Sequence, residues 1–396
     1  MKWETRCLGD VAQLSLGKML DEKKNRGEPL PYLANINVRW GEFHLDNLRE
    51  MRFEENEIDR FGLQFGDIVM CEGGEPGRCA IWKDQIPGMM FQKALHRIRP
   101  HQCLDSRFLF YAFLHKGERD GFAGLFTGAT IKHLPAEKLA KLEVEFPELP
   151  LQRRIADVLS AYDDLMENNR HRMALLEESA RLFYREWFVR LRFPGHEHAR
   201  STNGIPEGWE RKTLGEVAEL NRASLSGSFD GEIEYVDIAS VIPGQITETT
   251  PYAFCDAPSR ARRIVRHGDI IWSCVRPNRR SHAVIWNPPD NLIVSTGFAV
   301  ITPNSVPTTF LYFATTSDDF VGYLENHARG AAYPAVVAKD FERAKLRIPS
   351  KRLLEDFNDL VEPTFEQTHN LRQQNQKLRA ARNLLLPKLM SGELAV

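Results

Sequence analysis

The sequence contains no run of 18 apolar residues, the minimum for a helix that crosses a bilayer. Its opening, MKWETRCLGD, puts charges where a signal peptide needs an apolar stretch, so a cytoplasmic chain with no membrane association is expected. Cysteine is sparse. The six present, Cys7, Cys71, Cys79, Cys103, Cys255 and Cys274, include no Cys-x-x-Cys pair, which excludes a disulfide framework or a zinc knuckle and leaves reduced thiols. A Gly-x4-Gly-Lys-Ser/Thr phosphate loop is missing as well, which argues against nucleotide hydrolysis. His196-Glu197-His198 lacks the i, i+4 spacing of a helical metal site and reads as a solvated loop. Asn287-Pro288-Pro289-Asp290 is similar to the Asn-Pro-Pro-aromatic motif of amino-methyltransferases, but Asp290 cannot stack on a base and no Gly-rich cofactor loop accompanies it. A Pro-rich turn is expected there, and neither a metal nor a cofactor is expected on this chain. Large net charge is absent too: the formal value is −2, whereas a chain that gripped nucleic acid by phosphate neutralisation alone would be basic.

What is present is a repeat. The 396 residues, 42% apolar and 27% charged, have the composition of an ordinary globular protein. Residues 3–14, WETRCLGDVAQL, return as WERKTLGEVAEL at 209–220. GDIVM at 66–70 matches GDIIW at 268–272, TGA at 127–129 matches RGA at 329–331, and VEFP at 144–147 matches LRIP at 346–349, each 202 residues apart. AIW at 80–82 answers VIW at 284–286 after two inserted residues. This spacing indicates duplication of a unit of roughly 200 residues. Net charge repeats with it: −2 over 1–150, +1 over 151–200, −2 over 201–350 and +1 over 351–396.

Within each copy, short apolar runs punctuated by Gly and Pro predict a strand-rich mixed domain, with helices over Leu104–Leu114 and Thr309–Asn326. Each copy ends differently. Leu151 to about Leu191 contains no Pro or Gly and carries apolar residues in a seven-residue rhythm with Asn169 at one seam position, the pattern of a coiled-coil helix. Forty such residues span about 60 Å. The second copy runs from Leu353 to Met390, with a kink expected at Pro363. The predicted fold is therefore α+β: two mixed α/β domains separated by two long helices that form an antiparallel coiled coil, with a pseudo-two-fold internal repeat. The boundaries are 1–148, 149–195, 196–350 including a linker, and 351–396.

The paired W-x4-L-G-[DE]-V-A openings, the paired GDI strands, the G-A turn before each FP or IP step, and the ending LLLPKLMSGEL at 384–394 together resemble the specificity subunit of a Type I restriction-modification system. The resemblance covers essentially the whole chain. It implies two target recognition domains, each reading one half of a bipartite asymmetric site in double-stranded DNA, and helices that set the spacer. It further implies docking of two adenine-N6 methyltransferase subunits and recruitment of restriction/translocase subunits. S-adenosylmethionine, ATP and Mg2+ would then belong to those partners, and this chain would be a non-catalytic recognition subunit.

Base readout calls for Arg and Lys against guanine and for Asn and Gln against adenine. Arg260, Arg262, Arg263, Arg266, Arg276, Arg279 and Arg280 fall within 21 residues, and Arg276, Asn278, Arg279 and Arg280 share one predicted loop. The corresponding loop of the first copy, Gly73 to Arg78, is acidic and nearly without donors. Candidates there are Arg39 and Trp40, Gln92 and Lys93, and Lys132 and His133 after the Gly128-Ala129-Thr130 turn; Arg329 and Tyr333 occupy the matching turn of the second copy. On the helices, Leu165, Met166, Met173, Leu176, Phe183, Trp187, Leu378 and Leu385 are the expected partner-binding residues, since the stripe is wider than a two-stranded seam requires. A coiled-coil scaffold with protein-binding terminal domains is the competing reading.

Overall fold

The computed structural model describes every residue except 1, 2, 22–24, 47, 129 and 203. The chain forms two compact units, residues 1–168 with 374–396 and residues 169–373. Each long helix therefore contributes a part to each unit.

In the first unit, Ile68–Cys71 is buried along its whole length, as a short uninterrupted apolar run should be. It is an inner strand of a four-stranded antiparallel sheet in the order Ala12–Leu16, Leu95–Pro100, Ile68–Cys71, Cys79–Ile81. Alternation of side chains divides its neighbours in two. Ile68 and Met70 join a core with Phe108, Leu109 and the start of the first long helix, whereas Val69 and Cys71 join another with Trp82 and Phe91. That second core lies under a three-stranded sheet of Arg49–Phe53, Glu28–Leu33 and Met90–Phe91, the last pair parallel.

The second unit repeats the plan with Ala218–Leu220, Phe298–Pro303, Ile270–Ser273 and His282–Val284. Its other sheet is four-stranded, because the strand Ala261–Ile264 stands where the first unit has the helix Glu55–Phe61. The repeated motifs have physical causes. Gly66 and Gly268 adopt φ of 90° and 87°, and the aspartates after them accept the backbone N–H of Gln64 and Arg266 at 2.8 and 2.7 Å. Each Gly-Asp-Ile is a tight turn into an inner strand. Leu8 and Leu214 likewise donate to Leu142 O and Ala344 O, both at 2.8 Å, anchoring the start of each copy to its end.

Backbone pairing corrects one match. Ile68 pairs with Ile81 and Ile270 with Val284, while Trp82 N and Ile285 N donate to Asp67 O and Asp269 O at 2.8 and 2.7 Å. The counterpart of Trp82 is thus Ile285 rather than Trp286, and the second loop is longer by one residue, not two. The helix expected over Leu104–Leu114 is Ser106–Glu118, started by the Asp105 carboxylate accepting from Arg107 N and Phe108 N. The single helix expected over Thr309–Asn326 is instead two, Thr308–Thr316 and Asp318–His327. Ser317 is extended, and its hydroxyl caps the second helix by accepting from Phe320 N.

The long helices run Leu149–Tyr184, continued by a wider turn over Arg185–Val189, and Lys351–Met390. The second continues as one helix through Pro363. Within the first unit, Asp163 meets Arg382 at 2.7 Å and Met166 O accepts from Asn375 at 3.2 Å, while Leu159 shares a core with Leu386 and Leu389. Within the second, Phe188 and Tyr184 stack on Phe357 with centroids 4.9 and 6.3 Å apart, and Ala180 shares a core with Val361. In each unit the paired segments run antiparallel, as expected.

Candidate nucleic-acid interface

In the second unit the loop leaving Ile270–Ser273 is tied to the turn Arg329–Ala335. Arg276 N donates to Pro334 O at 2.7 Å and Val336 N to Cys274 O at 2.9 Å. Arg276 and Arg280 both occupy the left-handed region, φ 52° and 53°, on either side of a 3-10 turn at Pro277–Arg279. For a residue with a Cβ this costs about 1–2 kcal/mol, and such strain persists where a function or the surrounding contacts hold it. The Arg276 guanidinium lies over the Tyr333 ring, 4.6 Å from its centroid, and its Nη2 donates to Ala332 O at 3.3 Å. Tyr333 itself is 70% exposed. Beside this pair opens a cleft of about 690 Å3 lined by Asp237, Arg260, Arg276, Arg279, Ser295 and Tyr333. Three guanidinium groups in one concavity focus a positive field that the whole-chain charge of −2 conceals.

The other arginines of the cluster have different tasks. Arg262 lies over Phe254 at 4.4 Å, Arg263 donates to the Ser224 hydroxyl at 3.1 Å, and Arg280 pairs with Asp318 at 2.5 Å. Arg266 is exposed in the turn before the inner strand. Asn278 is exposed on the loop, and Arg329, largely exposed, reaches Asp340 at 3.4 Å. Beneath the loop, His282 is buried against Trp272. Burial, reinforced by the charges of Arg181 and Arg280, holds its pKa down at about 3, so the ring is neutral. Burial also raises the Cys274 thiol to about 11.

The equivalent surface of the first unit is built alike and furnished differently. Gly73 bridges His133 as Val275 bridges Ala335, which places Gly74, at φ 83°, where the second unit has Arg276. A Cβ on Gly74 would meet Asn35 Nδ2 at 2.6 Å, so a side chain there would have to displace the Asn35 amide. Arg78 turns inward, with contacts to Glu75 at 2.6 Å and Asn35 O at 3.0 Å. His133 Nδ1 stands 3.2 Å from both oxygens of Glu72. Lys132 is exposed near the Phe126 ring, and Ala129 lies outside the described residues. Gln92 and Lys93 join the same surface, because Lys93 N donates to Lys18 O at 2.9 Å and Glu72 N to Ala94 O at 2.8 Å.

Trp40 is not brought there. It packs over Gly117 of the helix Ser106–Glu118, where a Cβ would come within 2.5 Å of its ring. Arg39 Nη1 donates to the neighbouring Val38 O at 3.0 Å. Arg260 of the arginine run also lines the cleft, together with Asp237 and Ser295, which carry no local sequence signal. Parallel pairing of Leu33 with Phe91 and of Val236 with Val294 makes Ser295-Thr296 the counterpart of Gln92-Lys93. Nothing in the local sequence marks that equivalence.

On the long helices, Met166 is buried within the first unit, and Trp187 stacks on Phe188 and Phe357 at 6.1 and 5.8 Å in the second. Both therefore serve their own unit's packing, because the apolar rhythm marks the inner and the outer seam alike. Met173, Leu176, Leu378 and Leu385 are half-buried. Leu165 and Phe183 are exposed, and so are Leu175, Leu182 and Val189, which recur every seven residues. The other two motifs are turns: Leu292 N donates to Pro289 O at 3.0 Å, and His196–His198 is a single 3-10 turn. No helix among the described residues is long and apolar enough to cross a membrane.

Comparison with known proteins gives a consistent result. Residues 1–178 match the family model of the Type I restriction modification DNA specificity domain. The MjaIX specificity subunit of a Type I restriction enzyme from Methanocaldococcus jannaschii is 23% identical over 409 aligned positions, which cover 100% of this chain and 94% of the relative. The HindI specificity subunit from Haemophilus influenzae is 25% identical over 178 positions, 43% of this chain and 38% of that one. In fold, the chain is similar to the crystal structure of a Type I restriction-modification S subunit from M. genitalium, with a TM-score of 0.57, 20% identity, and coverage of 98% and 96% of the two chains.

Proposed function

We propose that the chain is a DNA-recognition specificity subunit of a Type I restriction-modification system and that each unit reads one half of a bipartite, asymmetric site in double-stranded DNA. One observation carries this reading: the same loop position on a repeated scaffold holds a stacked arginine beside a cationic cleft in the second unit and a glycine at positive φ in the first. Equal scaffolds place two readers, and unequal side chains make them read different bases. Readout in the second unit falls to Arg260, Arg276 and Arg279, with Asn278, Arg280, Arg329 and Tyr333 around them; in the first it falls to Gln92, Lys93, Lys132 and His133.

The long helices set the gap between the half-sites and dock two methyltransferase subunits. Exposed Leu165, Leu175, Leu182, Phe183 and Val189 give those partners apolar surface. Restriction/translocase subunits complete the assembly in the cytoplasm. S-adenosylmethionine, ATP and Mg2+ belong to the partners, which also supply most of the phosphate grip that a chain of net charge −2 lacks. Footprinting the assembled complex on random-sequence DNA tests the reading: two protected segments with a fixed gap are expected. A complex without a sequence-specific footprint would favour the scaffold reading instead.

A further inference from the structure

We infer that Arg276 is a specificity-determining residue and that it commits the half-site read by the second unit to a G·C pair. The inference rests on the DNA-reading role proposed above and sharpens it to one residue and one base pair. Three features of the residue point to this use. First, its backbone is held in the left-handed region, at φ 52° and ψ 64°, and its N–H is fixed to Pro334 O. That conformation suits glycine, which is what the first unit carries at the equivalent Gly74. An arginine there opposes the local preference of the backbone.

Second, the side chain is pre-organised. Tyr333 supports one face of the guanidinium plane, and Ala332 O holds one Nη, so the rotamer freedom that an exposed arginine would lose on binding is already restricted. Third, the planar fork lines the concave cleft together with Arg260 and Arg279. A fixed guanidinium matches the O6 and N7 acceptors of guanine through two parallel hydrogen bonds. It matches no other base edge in the major groove as well, since adenine presents one donor beside its N7. Arg260 and Arg279 are exposed and carry no comparable stacking contact among the described residues, which suits them to phosphates.

The first unit lacks this device, because the equivalent Gly74 carries no side chain. Its counterparts of Ser295-Thr296 are Gln92-Lys93, so its half-site is read from a different position with different donors.

The test is Arg276→Gly in the complete chain assembled with its methyltransferase subunits, followed by mapping of methylated adenines. Glycine is at ease at this φ, so the variant keeps the loop while removing the fork. One G·C pair in one half of the motif should relax toward any base, with discrimination at that pair falling by about 5- to 150-fold, and the other half should stay unchanged. Equilibrium binding of the same complexes to duplexes that differ only at that pair reads the ratio directly, including where methylation is too slow to map. Arg276→Lys, which keeps the charge and loses the fork, should relax the same pair. A bipartite motif that Arg276→Gly leaves intact, or relaxation at an A·T pair, overturns this inference alone. A wild-type complex that methylates no bipartite site removes the proposed function and this inference with it.

Discussion

One place in each unit shows how far two copies of a scaffold can diverge. In the first, Tyr111 Oη donates to Asp163 and Arg382 pairs with the other oxygen of the same carboxylate, both at 2.7 Å. The positions 202 residues away are Phe313, Phe365 and Ala180. In the second unit Phe313 and Phe365 stack at 6.0 Å, with Ala180 buried in the neighbouring core. A polar network and an apolar cluster join the same helices to the same neighbouring helix. The scaffold thus constrains volume and backbone register and leaves chemistry free, the freedom that the Gly74 and Arg276 loops use at the surface.

The sharpest way to break this comparison is to remove volume. Phe357 is fully buried among Tyr184, Trp187 and Phe188, and Phe357→Ala should cost about 3–5 kcal/mol, measured by denaturant unfolding. A loss below about 1 kcal/mol would mean that the aromatic cluster does not hold the helix ends. Removing charge should matter less. Asp163→Ala leaves Tyr111 Oη and Arg382 Nη1 without the carboxylate that accepts from both, while Arg382 keeps its bonds to Asn383, and should destabilise by about 2–3 kcal/mol. The combined Tyr111→Phe, Asp163→Phe, Arg382→Ala, which installs the chemistry of the second unit, should recover most of that loss, because well-packed apolar groups can replace a largely buried ion pair.

The two units also carry their buried histidines at different places. His282 stands where the first unit has Cys79, and His96 where the second has Ala299. For His282 the folded pKa of about 3 lies below the ordinary 6.5, so the unfolded chain takes up the proton first. Stability from the neutral ring is complete above pH 6.5 and is lost as pH falls toward 3, amounting to about 2 kcal/mol by pH 5. His282→Cys should flatten the fall in melting temperature between pH 7 and 5; an unchanged slope would remove His282 as its source. Burial lowers His96 in the same direction, so some acid sensitivity should persist. The smallest effect is expected at Arg280, whose pair with the mostly exposed Asp318 should contribute less than about 1 kcal/mol. Arg280→Ala should leave the unfolding midpoint nearly unmoved.

Much of this organisation was legible in the sequence, because its causes are local. A glycine at positive φ before a capping aspartate writes GDI twice, and a heptad rhythm writes the long helices. The loop with Arg276 was marked by its composition. What stayed hidden depends on tertiary placement. Arg262 and Arg263 sit in the same run as Arg260 yet turn to Phe254 and Ser224, and Trp40, though exposed, packs one side of its ring over Gly117. Ser295 enters the cleft through a parallel strand pair whose partners are 58 residues apart, Val236 and Val294. Met166 and Leu175 lie on one amphipathic helix, yet Met166 is buried by the first unit while Leu175 stays exposed on the second.

The central claim is that one duplicated scaffold carries two unlike readers. Mapping methylated adenines across a genome in cells that hold this chain with the methyltransferase subunits proposed for it tests it most directly. The account predicts one bipartite motif with unequal halves, a fixed gap, and a G·C pair in the half that responds to Arg276. A palindromic motif, a single continuous one, or methylation without sequence preference would contradict it.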